Sequence, residues 1–272
     1  MKKQIYIGLI ILFALVFVIS AGVLAWYYID TAIQQGRYNE LSSMKEDLTP
    51  RPTLPMDDET GPTATEPALV TVINPKTGKA MQVLPEFASL YTANPDIVGW
   101  LSIPGTDINY PVMQTPDRPD YYLRRDFDGK RHTAGCLYTE EACDIFTPSD
   151  NVTIYGHRMR NGSMFARLDK YMDAGYCKEN PYIHFDTLQE LHTYEVVAVF
   201  LTSSSVVNGF PYHEFVNAAD EAKFDAYVAR CKKLALFDTG VDASYGDKLI
   251  TLSTCDYSLT NGRLVVVAKR IV

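Results

Sequence analysis

The chain has 272 residues, 47% of them hydrophobic, and a net charge of −8. That suffices for a membrane segment plus one well-filled domain. No run of Lys and Arg exceeds a pair, which argues against a nucleic-acid partner, and no phosphate-cradling glycine loop or internal repeat occurs.

The first predicted element is residues 5–25, an uncharged run of 21 residues followed by Trp26, Tyr27 and Tyr28. Its length fits a ~30 Å hydrocarbon core, and aromatic residues at its outer end fit a membrane interface. Lys2 and Lys3 on the short side predict a cytoplasmic N-terminus and an extracellular domain, with the lipid bilayer as a partner. A cleaved signal peptide is the competing reading. Ala21 and Ala25 are small enough for cleavage, but the apolar core of a signal is usually ~7–15 residues, so an uncleaved anchor is favoured. The expected division is a tail at 1–4, a transmembrane signal-anchor at 5–28, a polar, Pro-rich stalk at 29–68 and a globular domain at 69–272.

Residues 30–47 read as a polar helical continuation. From Leu48 to Pro67 the composition shifts to Pro, Thr, Asp and Glu, and Pro50, Pro52, Pro55, Pro62 and Pro67 favour an extended stalk. Residues 70–73 and 81–83 read as strands around a turn at Asn74-Pro-Lys-Thr-Gly78. Residues 85–90 read as a short helix. Residues 151–155 form a β-rich run that Gly156 and His157 follow directly, and a glycine there permits a sharp exit from the strand. A later helix is capped by Asn217, with Asp220 and Glu221 in its first turn. Phe224, Tyr227, Val228, Cys231 and Leu234 recur on one of its faces.

Residues 249–253 and 264–268 read as two buried strands. The linker between them is short and rich in turn residues, so the strands are antiparallel neighbours. Cys255 then ends one and Arg263 begins the next at the same sheet edge. Arg270 lies roughly 23 Å further on at ~3.3 Å per residue. A cysteine and a histidine remote in sequence, each at a strand end, suit nucleophilic catalysis. A free thiol has a pKa of about 8.5, so a nearby cation is needed to favour the thiolate. Asp256 complicates this, because a carboxylate pointing at the thiol would oppose its ionisation; it is expected to face away or to position substrate. The remaining histidines, His132, His184, His192 and His213, lack metal-ligand spacing and read as surface or packing residues. No metal and no cofactor is expected. Of the five cysteines, Cys231 reads as core; Cys136 and Cys143 are close enough to pair across a turn, and the odd count leaves one thiol free for chemistry.

The chain resembles a sortase of the class B branch from about Asn94 to its end. The segments that carry the likeness are NPDIVGWLSI from Asn94, PGTDINYPV from Pro104, DYYL from Asp120, DFDG from Asp126, IYGH from Ile154 and TLSTC from Thr251. The family's catalytic His, Cys and Arg fall on His157, Cys255 and Arg263. The helix ahead of the cysteine strand favours class B over class A. The resemblance implies a mainly β fold, a closed barrel of about eight strands with peripheral helices, after one N-terminal transmembrane helix.

It also implies a transpeptidation at the cell surface. A sorting signal near the C-terminus of a secreted protein is cleaved after Thr, the acyl part is held as a thioester, and an amine of peptidoglycan or a pilin receives it. His157 is then general acid and later base, and Arg263, which stays protonated, holds a carbonyl or oxyanion. Leu123, Ser253 and Thr254 are candidate substrate contacts, with Phe210 and Tyr212 lining the groove wall. The signals implied are NPQTN-like or PxTG-like. The competing functions are a secreted Cys–His peptidase acting only as a hydrolase, and a non-catalytic surface adhesin or scaffold. Asn74 to Gly78 itself looks like such a signal, and the β-turn reading competes with a pseudo-substrate or self-cleavage site.

Overall fold

A computed structural model of the chain describes residues 2–45, 49, 51, 68–203 and 209–272. Apart from Thr49 and Arg51, the proline-rich stretch at 48–67 lies outside the described residues. Two compact units are present, residues 1–43 and 44–272. The first is taken up by helix α1 (Lys2–Met44), 43 residues long, about 65 Å at ~1.5 Å per residue. Its apolar side chains are exposed along the whole first stretch, Ile10 and Phe17 among them. Among the described residues it is the one helix long and apolar enough to cross a membrane by length and composition. It runs without a break from the uncharged run into the polar stretch that follows.

The second unit opens with a hairpin, β1 (Val70–Ile73) and β2 (Ala80–Val83), and a short helix α2 (Ala88–Ala93) preceded by a 3₁₀ turn at Pro85–Phe87. Asn74 to Gly78 is the hairpin's turn, with Asn74 N–H donating to Lys79 O and Gly78 N–H to Asn74 O, both at 2.8 Å. The barrel strands follow: β3 (Ile97–Ser102), β4 (Asn109–Met113), β5 (Leu137–Thr139), β6 (Asn151–Tyr155), β7 (Tyr182–Thr187), β8 (Thr193–Ser203), β9 (Leu249–Asp256) and β10 (Gly262–Arg270). Helix α3 (Ala174–Glu179) precedes β7, and helix α4 (Glu221–Leu234) lies between β8 and β9. The eight strands close in the order β10-β8-β7-β3-β4-β5-β6-β9. Closure leaves the barrel itself without a free edge.

Side-chain alternation explains the two layers of the core. Ile250 and Leu252 of β9, with Leu264 and Val266 of β10, are fully buried on one face. On the other face Leu249, Val265 and Val267 join a buried cluster with Phe224, Tyr227, Val228 and Cys231 of α4. The helix therefore converts the outer face of β8, β9 and β10 into a second core. Phe215 stacks on Tyr227 with ring centroids 3.9 Å apart and completes that layer.

Helix α4 starts later than the sequence suggests. Its cap is Asp220, whose carboxylate accepts from Lys223 N–H at 2.9 Å. Asn217 serves a different end, accepting from Asp150 N–H at 3.0 Å. The nearer acidic residue wins because it sits three residues from the donor it satisfies.

Contacts with the barrel begin ahead of Leu69. Thr49 donates to Glu86 at 3.0 Å, and Arg51 grips the buried Asp186 with both terminal nitrogens at 2.9 Å. Lys45 approaches the same carboxylate at 3.4 Å. A buried carboxylate needs such partners, because an unpaired one is strongly destabilising. None of the five cysteines is in a disulfide, so Cys136 and Cys143 do not pair with each other.

Asp220→Ala removes the α4 cap and is expected to lower stability by about 1 kcal/mol in a denaturant titration. Asn217→Ala leaves the helix cap intact.

Candidate active site

Three adjacent strands bring the predicted residues together. In β9 and β10, antiparallel, Cys255 faces Arg263 directly. On the other side β6 runs parallel to β9, with Tyr155 opposite Ser253. Carrying that register two residues onward sets His157 level with Cys255. Two bonds extend the ladder beyond the end of β6: Gly156 N–H donates to Ser253 O at 3.2 Å, and Thr254 Oγ1 donates to Gly156 O at 2.8 Å. Neighbouring strands lie about 4.8 Å apart and paired residues share a face. The thiol is thus flanked by the imidazole strand on one side and the guanidinium strand on the other.

Gly156 is required for space. A Cβ there would lie 2.5 Å from Leu137 Cδ2 and 2.6 Å from Phe165 Cδ2, both in buried side chains. Its φ is not in the left-handed region, so the expected conformational reason is replaced by a steric one. His157 O accepts from Phe165 N–H at 3.0 Å, which ties the loop to the following 3₁₀ segment.

The imidazole Nε2 is 2.8 Å from Leu123 O. A carbonyl only accepts, so Nε2 carries a hydrogen in either protonation state, and Nδ1 is the nitrogen that gains and loses the proton. Burial lowers the His157 pKa below its ordinary value, the Leu123 bond opposes this, and the Arg124 guanidinium adds to the lowering. Leu123 O is in turn backed by Gly135, at φ +58°, where a Cβ would meet that oxygen at 2.5 Å. No motif in the sequence points to Gly135; its role comes from the close approach of two loops.

Cys255 is the one cysteine that is not buried. Burial pushes the Cys143 and Cys177 thiols up to about 11 and Cys231 up to about 12. Arg263 Nη1 donates to Gly262 O at 3.0 Å, and its charge also reaches the Tyr212 phenol. Asp256 is turned away from the thiol and pairs with Arg158 at 3.2 Å.

The candidate substrate contacts separate into two kinds. Tyr212 is buried, its hydroxyl 2.6 Å from Ser253 Oγ, so the two pack together. Phe210 is half-buried and packs near Phe200 and Tyr227. It lines a pocket of about 350 Å³ with Leu201, Thr202, Arg230, Leu259 and Thr260. Thr202 is the β8 partner of Arg263, so the pocket lies beside the guanidinium strand. Leu123 is half-buried and contributes its carbonyl to His157. Thr254 is as buried as Ser253, both 2% exposed, and its hydroxyl braces Gly156. Alternation sends it to the face opposite Cys255.

The sequence reading missed Tyr155 and Glu140. Tyr155 donates to Glu140 Oε2 at 2.6 Å, and burial together with that bond holds its phenol well above the usual range. It lies on the same strand face as Ser253 and Cys255.

The closed barrel, with an accessible thiol between a histidine strand and an arginine strand, is the architecture of a cysteine transpeptidase. A family model described as the sortase domain matches residues 101–271. Sortase B of Listeria monocytogenes is 31% identical over 192 residues, covering 70% of this chain and 76% of that one. The crystal structure of sortase B from B. anthracis in complex with AAEK1 superposes with a TM-score of 0.68 at 28% identity, covering 90% of this chain and 99% of that one. A Staphylococcus aureus sortase B–substrate complex gives a TM-score of 0.64 at 29% identity, covering 70% and 86%. The chain belongs to the sortase family, in its class B branch.

Gly156→Ala is expected to cost about 1–3 kcal/mol through overpacking and to displace His157; kcat should fall at least about tenfold with KM nearly unchanged. Arg124→Gln removes a cation from beside the imidazole and should move its titration to higher pH, read by NMR on the His157 ring; an unmoved or lowered midpoint would contradict the assigned cause.

Proposed function

We propose that this sortase is anchored by α1 with its N-terminus in the cytoplasm and works on the outer surface, cleaving a C-terminal sorting signal of the NPQTN-like or PxTG-like kind after Thr. Cys255 attacks the Thr carbonyl carbon as a thiolate, and Arg263 hydrogen-bonds the oxygen as charge develops on it. The C–N bond breaks, and His157 delivers the Nδ1 proton to the departing amine. The acyl group remains as a Cys255 thioester. An amine of peptidoglycan or a pilin then attacks, His157 takes its proton, and the thiolate is restored. Leu123, Phe210, Tyr212 and Ser253 shape the groove that holds the signal.

The observation that carries this reading is the accessibility of Cys255 alone among five thiols, paired with Arg263 across β10 and next to the strand that His157 follows. The S. aureus sortase B solved as a substrate complex supports a substrate site on this fold. Burial lowers the His157 pKa, which disfavours the protonated imidazole that this step uses as acid.

The full-length chain in detergent, mixed with a sorting-signal peptide, should yield a Cys255 acyl adduct by mass spectrometry and a ligated product once an amine acceptor is added. Cys255→Ala should abolish both. Cleavage without any ligation at saturating amine would instead make the protein a hydrolase, and peptide binding with no adduct would make it a scaffold.

A further inference from the structure

Arg158 follows His157 and Asp256 follows Cys255, and these two neighbours meet. Arg158 Nη1 donates to Asp256 Oδ2 at 3.2 Å, and Nη2 donates to Asp169 Oδ2 at 3.2 Å. The Asp256 side chain is 4% exposed and that of Arg158 is 23% exposed. The Tyr257 hydroxyl donates to Arg158 O at 3.2 Å, and the guanidinium lies 5.8 Å from the Tyr257 ring centroid. The second carboxylate oxygen accepts from Ser258 N–H at 2.9 Å and from the Ser258 hydroxyl.

Successive strand residues point to opposite faces. Asp256 is thus turned away from the thiol, but its charge stays about 6–8 Å from the sulfur by strand geometry. Charge at that range in a partly buried site is weakly screened and favours the protonated thiol. A guanidinium on the carboxylate cancels most of this field. The other charged or titratable groups around the thiol are His157 and Tyr155 on the β6 side, Glu140 bonded to Tyr155, Arg124 on the Leu123 loop, Arg263 on β10, Asp169 on the 3₁₀ segment, Tyr257 on Arg158 and the Tyr212 phenol.

We propose that Arg158 is a positioning residue that masks the Asp256 carboxylate and so keeps it from suppressing ionisation of Cys255. The inference rests on Cys255 being the nucleophile. Its mark is an interaction between two residues that each have no need to touch substrate.

The test is the pH dependence of iodoacetamide alkylation at Cys255, located by peptide mass spectrometry, in the full-length chain in detergent. Wild type, R158K, R158Q, D256N and R158Q/D256N are compared, each with a thermal melt. R158Q should move the midpoint up by about 0.5–1 pH unit and slow alkylation about 3–10-fold at pH 7. R158K should stay closer to wild type. D256N and the double variant should alkylate with midpoints at or below wild type. A folded R158Q with an unmoved midpoint overturns the proposal, and so does a double variant that remains shifted upward. If R158Q melts below the assay temperature, D256N and the double variant decide, and a midpoint above wild type in either rejects it. Wild-type protein that neither alkylates at Cys255 nor ligates peptide rejects the parent reading instead.

Discussion

The register between β6, β9 and β10 is the constraint on which the site depends. Parallel pairing on one side of β9 and antiparallel pairing on the other fix which residues stand beside Cys255. A slip of one residue would turn the thiol toward the barrel interior and bring Thr254 or Asp256 to the outer face. The turn between β9 and β10 guards against that slip. Asn261 adopts φ 53°, and a Cβ on Gly262 would lie 2.5 Å from Asp256 O, so only this compact turn closes the pair. On the other side the ladder outlasts β6 because Thr254 reaches across to Gly156. Placement of the imidazole is therefore a backbone property, transmitted through a threonine hydroxyl.

Helix α4 decides where the outer face of these strands is wet. Phe224, Tyr227 and Cys231 cover Val265 and Val267, and Tyr212 covers Ser253. Two residues beyond Ser253 on the same face, Cys255 emerges from under this cover. The partly exposed thiol thus marks the boundary of a packed layer. Burial of Ser253 and exposure of Cys255 are two ends of one arrangement, since a layer that stopped earlier would wet the wall and one that continued would seal the thiol.

Much of this was legible in the sequence, for identifiable reasons. β6 coincides with its predicted run because Asn151 to Tyr155 is bounded by a glycine. β9 and β10 extend further than their apolar cores because ladder hydrogen bonds continue through Thr254, Cys255 and Asp256, whose polarity ends a hydrophobic pattern but not a strand. The steric role of Gly156 was hidden, since it depends on Leu137 and Phe165, remote from it in the chain. The same holds for Gly135 behind Leu123 and for Arg51 on Asp186, which couple segments that no local pattern links. The motif offers Ser253 and Thr254 alike as candidate contacts, whereas strand parity sends them to opposite faces of β9.

The turn Asn74 to Gly78 shows the converse, a sequence that resembles a signal while its conformation argues against one. Asn74 Oδ1 accepts from Lys76 N–H at 2.9 Å and Thr77 N–H at 3.1 Å, and its amide donates to Tyr91 at 2.9 Å. Lys76 pairs with Asp96 at 2.6 Å, and Gly78 takes φ +71°. Residues 75–78 are exposed and Asn74 is half-buried, so the turn is restrained mainly by its hydrogen bonds. A peptide lying along a strand-lined groove must be extended, with backbone groups free to bond the enzyme. Extending this segment would break the turn's internal bonds, each worth about 1 kcal/mol, and would unpair β1 from β2. Proline and glycine favour the turn here for the same reason that they permit a bent signal elsewhere, so the residue types alone do not distinguish the two uses. The flanking strands do, because they hold the ends of the motif too close together for it to lie straight.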